Sequence, residues 1–199
     1  GGDDEPATSS TGATGASTCA EVDAPAPKNV KLERPDLEPP PPGTRAVFET
    51  SCGDFTIMLD TENAPRTTAS FASLIEEGVY DDTPFHRVAP GFVIQGGDPA
   101  GDGTGGPGYF VDEPPPPDIS YTKGVVAMAK TAAEPPGRSG SQFYIVTGAD
   151  AGLPTDYALV GEVVEGEEAV SAIEELGMDG SDGPPSQPVI VERATLEQG

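Results

Sequence analysis

The sequence predicts a mainly β fold, a closed antiparallel barrel capped by two helices. Short apolar runs rich in Val, Ile and Phe recur along the chain, and turn-forming residues separate them. Only two segments have apolar residues at helical spacing. The 199 residues leave room for one domain and a tail, and 26 glycines and 23 prolines supply many turns. This pattern favours a barrel over a sandwich or a doubly wound sheet.

The predicted strands begin with a hairpin. Residues 46–50 and 55–59 are strand-like runs, and the Ser-Cys-Gly-Asp turn between them has the composition of a hairpin connection. Residues 111–120 are predicted to be a loop because four prolines at 114–117 cannot take part in a central ladder. Residues 133–140 are predicted to be a second loop. The remaining predicted strands are 124–129, 142–146, 158–164 and 188–196.

Two helices are predicted from their apolar spacing. The first covers residues 65–77, with Pro65 at the first helical position and an apolar face formed by Phe71, Leu74 and Ile75. The second covers residues 167–176, and Gly177 ends it; its apolar face is formed by Val170, Ile173 and Leu176.

The chain before the barrel divides into two parts. Residues 1–18 are rich in Gly, Ser, Thr and Ala, which predicts a disordered tether. Residues 19–43 are rich in proline and predict an extended segment pinned to the domain at 44–199. The polar start resembles the tether that follows the lipidated cysteine of a bacterial lipoprotein, which would place a lipid anchor upstream of Gly1. An ordinary disordered tail is the alternative.

Cys19 and Cys52 are predicted to form a disulfide. Cys19 lies in a polar stretch and Cys52 in a turn, and neither environment suits a buried thiol, although two inert buried thiols are the alternative. A bridge would close a loop of about 33 residues and require an oxidising compartment. We therefore expect an exported protein of the cell envelope or the extracellular space.

Charge and composition exclude several classes of partner. The net charge of −24 arises from 34 acidic and 10 basic residues, and this excess repels phosphate backbones and anionic membrane surfaces. Nucleic-acid binding is therefore not expected. No run of about 18 apolar residues occurs, so no membrane-spanning segment is predicted.

Three features resemble parts of nucleotide or metal sites, but each lacks something that such a site requires. Residues 101–106 match the dinucleotide pattern G-x-G-x-x-G, yet prolines follow where a helix should begin. His86 is the single histidine, so a metal would lack histidine partners. The Asp-Gly-Ser-Asp-Gly run at 179–183 lacks the final glutamate of a calcium loop and is interpreted as a solvated turn. We expect neither a metal nor a cofactor.

Residues 85–98 mix residue types that a core strand would not contain. His86, Arg87 and Gln95 are interleaved with Phe85 and Phe92. A fixed cation and an amide among aromatic side chains are typical of a site for an uncharged polar ligand.

A larger set of motifs extends this stretch. Phe-His-Arg at 85–87 is followed by Pro-Gly-Phe at 90–92, Gln-Gly-Gly-Asp at 95–98, Gly-Thr-Gly-Gly at 103–106 and Ser-Gln-Phe-Tyr-Ile at 141–145. Together they resemble the cyclophilin family of peptidyl-prolyl cis-trans isomerases over roughly residues 45–196. The resemblance implies an eight-stranded antiparallel barrel closed by two helices and an enzyme that needs no cofactor.

The resemblance also implies the site residues. Arg87 matches the catalytic arginine, Phe92 contacts the proline ring and Gln95 holds the substrate carbonyl. The implied substrate-binding residues are Phe85, Val93, Gly103, Ala129, Lys130, Gln142, Tyr144, Leu153 and Tyr157. The absence of tryptophan, Tyr157 in place of a histidine and Lys130 in place of an asparagine affect drug binding and peptide preference more than the chemistry.

The expected reaction is rotation of Xaa-Pro bonds in unfolded or flexible exported proteins, by a monomer and without a covalent intermediate. A guanidinium that donates a hydrogen bond to the prolyl nitrogen would stabilise the twisted amide more than either planar isomer. The alternative is a non-catalytic module that holds proline-rich segments in the same groove, including its own runs at 39–42 and 114–117.

Overall fold

A computed structural model describes residues 19–178 and 180–199. The predicted tether at 1–18 lies outside these residues. The described chain forms two helices, α1 (Pro65–Glu76) and α2 (Glu167–Glu174), and eleven strands. The strands are β1 (Thr44–Thr50), β2 (Phe55–Leu59), β3 (Thr83–Pro84), β4 (Arg87–Ala89), β5 (Val93–Gly96), β6 (Val111–Asp112), β7 (Val125–Met128), β8 (Arg138–Ser139), β9 (Phe143–Val146), β10 (Leu159–Glu165) and β11 (Ile190–Gln198).

Nine of the strands form one curled antiparallel sheet. Their order is β3-β11-β1-β2-β10-β7-β9-β5-β4. The two edge strands, β3 and β4, are consecutive in the chain and are separated only by Phe85 and His86. β3 pairs with β11, whereas β4 pairs with β5. The two edges are therefore joined by the chain itself rather than by a ladder of hydrogen bonds.

This arrangement refines the predicted strand count. The mainly β fold with two helices is confirmed. The predicted closed barrel of eight strands is inexact, because the main sheet has nine strands and the segment 83–89 contributes two of them, β3 and β4. Pro84 has no N–H to donate to a ladder. Beyond Pro84 the segment changes its pairing partner from β11 to β5.

The predicted loops at 111–120 and 133–140 are partly wrong. β6 and β8 lie within them and pair with each other as a separate two-stranded sheet. Arg138 reinforces the pairing, because its guanidinium donates two hydrogen bonds to the Asp112 carboxylate, at 2.8 and 2.9 Å. The four prolines follow β6, so they end this ladder without interrupting it.

Alternation along β5, β7 and β9 divides the interior into two clusters. Ile94, Val126 and Ile145 are fully buried in the main core, where α1 and α2 also pack. Their neighbours Val93, Ala127, Tyr144 and Val146 belong to a second, smaller cluster. Because successive strand residues point to opposite faces, each of these strands contributes to both clusters.

Residues 19–43 form an extended strap against the barrel. The predicted disulfide between Cys19 and Cys52 is present and ties down its first residue. Cys52 is buried, in contrast to the exposed turn position expected from its neighbours. Further along, the strap N–H groups of Ala20, Lys28 and Leu32 donate to barrel carbonyls. Neither α1 nor α2 has the length and hydropathy that crossing a bilayer requires.

Candidate active site

A cavity of about 930 Å³ opens beside the smaller cluster. Strands β4, β5 and β9 border it on one side and the glycine-rich loop at 103–108 on the other. The structure brings nearly all predicted site residues to its walls, namely Arg87, Phe92, Val93, Gln95, Gly103, Ala129, Lys130, Gln142, Tyr144, Leu153 and Tyr157.

Phe85 is the exception. Its side chain is 1% exposed and belongs to the main core. Its ring packs edge-on against Phe55 and Phe143, with centroids 6.4 and 6.1 Å away. Phe85 lies between β3 and β4, two positions before Arg87, and it points to the core side. The prediction that Phe85 binds substrate is therefore wrong, and its role is packing.

Strand register brings Arg87 and Gln95 together. Arg87 on β4 lies opposite Gln95 on β5, and Gln95 in turn lies opposite Tyr144 on β9. Directly opposed residues in antiparallel strands project to the same face. This row of side chains faces the cavity, where the Arg87 guanidinium carbon lies 5.8 Å from the centroid of the Phe92 ring.

The Arg87 guanidinium is hydrogen-bonded to Asp182, a residue that was not predicted to belong to the site. Nε donates to Oδ1 of Asp182 at 2.5 Å and Nη2 donates to Oδ2 at 2.8 Å. These bonds are the main cause of a raised Arg87 pKa and a lowered Asp182 pKa. Arg87 therefore stays charged, and its orientation is fixed.

Asp182 reaches this position because its loop is attached to β4. The N–H of Val88 donates to the carbonyl of Gly183 at 2.7 Å, next to both members of the pair. Asp182 lies in the run interpreted from sequence as a solvated turn, and its side chain is indeed 58% exposed. Its partner lies 95 residues earlier, so no local spacing could have identified the contact.

A chain of amides extends from Arg87 across the cavity. Nη1 of Arg87 donates to Oε1 of Gln95 at 2.9 Å, and Nε2 of Gln95 donates to Oε1 of Gln142 at 3.1 Å. Gln142 then donates to the carbonyls of Gly103 and Gly105 at 3.0 and 2.9 Å. Three of the five guanidinium N–H bonds are thus used within the described residues, which leaves two for a ligand.

The glycine-rich loop is folded around a buried carboxylate. Asp98 is 0% exposed and accepts hydrogen bonds from the N–H groups of Ala100 and Gly103 at 2.8 and 2.5 Å. A Cβ at Gly105 would lie 2.1 Å from Oδ1 of Asp98, so only glycine fits there. The loop leads into β6 rather than into a helix, and its role is to form one wall of the cavity.

Tyrosines form the opposite wall. The rings of Tyr144 and Tyr157 meet edge-on with centroids 5.6 Å apart, and the Tyr121 hydroxyl donates to the Tyr157 carbonyl at 2.6 Å. Burial raises the pKa of Tyr144 far above its usual value. Its hydroxyl is buried and has no hydrogen-bond partner among the described residues. The wall is therefore uncharged and largely apolar.

Two other polar residues near the cavity are occupied or shielded. The Lys130 ammonium lies 2.5 Å from the Asp156 carboxylate and 5.3 Å from the centroid of the Tyr157 ring, and its side chain is 3% exposed. Only the backbone of Lys130 can therefore meet a ligand. Burial lowers the pKa of His86, so the imidazole is neutral near pH 7. Within residues 19–178 and 180–199, no cluster of three His, Cys, Asp or Glu side chains could hold a metal.

Known proteins share this fold and these motifs. A family model described as cyclophilin type peptidyl-prolyl cis-trans isomerase/CLD matches residues 45–196. Peptidyl-prolyl cis-trans isomerase A of Mycobacterium tuberculosis (strain H37Rv) is 37% identical over 169 residues, covering 76% of this chain and 91% of that protein. Peptidyl-prolyl cis-trans isomerase-like 1 of Aspergillus fumigatus is 32% identical over 160 residues, covering 78% of this chain and 98% of that protein.

A solved structure agrees with the sequence matches. The crystal structure of a Cryptosporidium parvum cyclophilin type peptidyl-prolyl cis-trans isomerase, determined in the presence of the dipeptide Ala-Pro, superposes with a TM-score of 0.71. The two chains are 30% identical, and the match covers 78% of this chain and 99% of the other. On its sequence, its fold and the residues gathered around its cavity, the chain belongs to the cyclophilin-type family of peptidyl-prolyl cis-trans isomerases.

Proposed function

We propose that the cavity binds proline-containing segments of polypeptides and that Arg87 accelerates rotation about the Xaa-Pro bond. The observation that carries the mechanism is the fixed guanidinium. It lies at an uncharged wall, is oriented by Asp182 and Gln95, and keeps two N–H groups for a ligand. Among the described residues that line the cavity, the other two basic side chains are engaged elsewhere: the Lys130 ammonium with the Asp156 carboxylate, and two of the three N–H bonds of the Lys28 ammonium with backbone carbonyls.

The chemistry follows from the electronic structure of the amide. Partial double-bond character imposes a rotational barrier of about 18–20 kcal/mol. In the twisted transition state the prolyl nitrogen becomes pyramidal and its lone pair can accept a hydrogen bond. A donor aimed at that lone pair stabilises the transition state more than either planar isomer, which is the condition for a higher rate. No bond to the enzyme is formed.

Different residues of the cavity contact the proline ring, the substrate carbonyl and the flanking peptide. Phe92, Val93, Tyr144 and Leu153 offer apolar surface to the proline ring, and all four pack in or against the smaller cluster. Gln95 uses one amide N–H for Gln142 and has a second one for the substrate carbonyl. Gln142 and the backbone at Ala129 and Lys130 orient the flanking peptide.

The proposed clients are unfolded or flexible exported proteins. The Cys19–Cys52 disulfide supports export, because such bonds persist in oxidising compartments. We also propose a lipid anchor upstream of Gly1. This proposal requires a lipidated cysteine before Gly1 in the precursor. We propose that the protein acts as a monomer.

A protease-coupled assay on a succinylated Ala-Ala-Pro-Phe anilide tests the proposed activity. Thermal isomerisation takes about 10–100 s at 25 °C, so catalysis appears as a concentration-dependent acceleration of the slow phase. Magnetisation-exchange NMR on the same peptide detects the rate without a protease. Binding of the peptide with no acceleration would overturn the proposal and would identify a proline-binding module instead.

A further inference from the structure

The strap supplies one wall of the cavity. Pro27, Lys28, Asn29 and Val30 line the same space that Arg87 enters. Pro27 and Asn29 are exposed, whereas Lys28 and Val30 are half-buried. These residues precede the 45–196 segment that matches the family, so this wall is an addition to the shared domain.

The wall is fixed on both sides before any ligand arrives. The N–H of Lys28 donates to the Pro99 carbonyl and that of Leu32 to the Pro107 carbonyl, both at 2.7 Å. Between these anchors the strap crosses Gly108, where a Cβ would lie 3.1 Å from the Lys31 Cα. A wall held in place in this way needs little ordering on binding, which favours affinity.

Apart from Lys28, the side chains of this wall are uncharged. The Lys28 ammonium donates two of its three N–H bonds to the backbone carbonyls of Val79 and Asp81, which hold it against the chain at 79–81. The surface that remains consists of the Pro27 ring, the Asn29 amide and the Val30 methyl groups. A ring, methyl groups and one amide suit an extended, uncharged stretch of polypeptide rather than a phosphate or a carboxylate.

We propose that residues 27–30 form an additional substrate subsite that contacts the polypeptide several residues away from the proline. This inference rests on the proposed function, because it requires a substrate whose proline lies beside Arg87. The cavity of about 930 Å³ is near the upper end of the size range of ligand sites. An extended chain advances about 3.3–3.6 Å per residue, so a few residues beyond the proline reach a separate wall.

The test compares short and extended substrates in the full chain. The short substrate is the succinylated Ala-Ala-Pro-Phe peptide. The two extended substrates add six uncharged residues, alanine and glutamine, on its amino or its carboxyl side. The variant Pro27→Ala/Asn29→Ala removes two wall side chains without touching the anchoring bonds of the strap. The control Glu33→Ala/Arg34→Ala changes two exposed strap residues that do not line the cavity.

The wild type should turn over one extended peptide with a kcat/KM above that of the short peptide. The wall variant should lose this gain, by about three- to tenfold, through a higher KM. The wall variant should keep the wild-type kcat/KM on the short peptide. The control variant Glu33→Ala/Arg34→Ala should have the wild-type kcat/KM on all three substrates. An equal kcat/KM of the wall variant and the wild type on the extended peptides would overturn the inference. An equal loss of kcat/KM on the short and the extended peptides would also overturn it, because the strap would then stabilise the groove without contacting the extension. Inactive wild-type protein would instead refute the proposed function.

Discussion

The Asp182 carboxylate accepts two hydrogen bonds from the Arg87 guanidinium, from Nε at 2.5 Å and from Nη2 at 2.8 Å. The two residues are 95 positions apart, and the bridge between Val88 and Gly183 holds their segments together. A planar guanidinium bound bidentately by a carboxylate loses most of its orientational freedom. We therefore regard Asp182 as a positioning residue for Arg87.

Replacing Asp182 with alanine should lower kcat/KM about three- to tenfold, because Arg87 would sample orientations that miss the prolyl nitrogen. Asp182→Asn keeps one oxygen acceptor and should fall between the wild type and the alanine variant. The protease-coupled assay measures all three. Glu165→Ala is the matched control, since it removes an exposed ion pair with Arg45 on the far strands of the sheet. Unchanged or faster turnover by Asp182→Ala would show that the pair does not position Arg87.

The pH dependence of the rate should be flat from about pH 7 to about pH 9. The Arg87 pKa is raised and the Asp182 pKa is lowered, chiefly by their shared hydrogen bonds, so both stay charged throughout this range. Burial lowers the pKa of His86 below its ordinary value of 6.5, so this side chain stays neutral there. The pair is lost only when the pH falls through the lowered pKa of Asp182. An inflection of the rate above pH 6.5 that disappears in His86→Gln would show that His86 takes part in the reaction.

Tyr144→Phe should stabilise the protein and leave isomerase activity in place. The Tyr144 hydroxyl is buried without a partner among the described residues, and such a group costs roughly 1–3 kcal/mol. Removing it should raise the free energy of unfolding by about 1 kcal/mol, measured by chemical denaturation. Tyr121→Phe is the opposing control, because the Tyr121 hydroxyl bonds the Tyr157 carbonyl at 2.6 Å and the Tyr157 N–H at 3.0 Å. If both variants lose stability, the Tyr144 hydroxyl forms a stabilising hydrogen bond in solution, and the expected gain is refuted.

Removing the disulfide should destabilise the chain by roughly 3–4 kcal/mol in the chain-entropy model, given a closed loop of about 33 residues. The double variant Cys19→Ala/Cys52→Ala and the reduced wild type should show similar denaturation midpoints, both below that of the oxidised wild type. Reductant should not affect the double variant, which serves as the control. An unchanged midpoint on reduction of the wild type would mean that the strap is held by its other contacts alone.

The elements that local pattern determines were predictable from sequence. The hairpin strand β2 has the predicted bounds, and α1 begins at Pro65 as predicted. The contacts that depend on distant partners were not predictable. The β6–β8 pairing joins two segments that contain turn residues and prolines, and contacts of Arg138 with Asp112 and of Ser139 with Val111 reinforce it.

The site shows the same division. Motifs placed Arg87, Gln95 and Gln142 at one cavity, and their hydrogen bonds form a continuous chain. Phe85 was assigned to the cavity as the first residue of the Phe-His-Arg motif, but its side chain lies in the main core. Asp182 was missed, since its local sequence is that of a solvated turn and its partner lies across the fold. The roles of the cavity residues stay predictions until variants are measured.

The central claim is that Arg87 catalyses the rotation, and Arg87→Ala tests it most directly. A charge-assisted hydrogen bond is worth about 1.5–3 kcal/mol, and each 1.4 kcal/mol corresponds to a tenfold change in rate. The variant should therefore lose about one to two decades of kcat/KM in the protease-coupled assay while it keeps its fold, as checked by circular dichroism. Full activity of a folded Arg87→Ala variant would contradict the account.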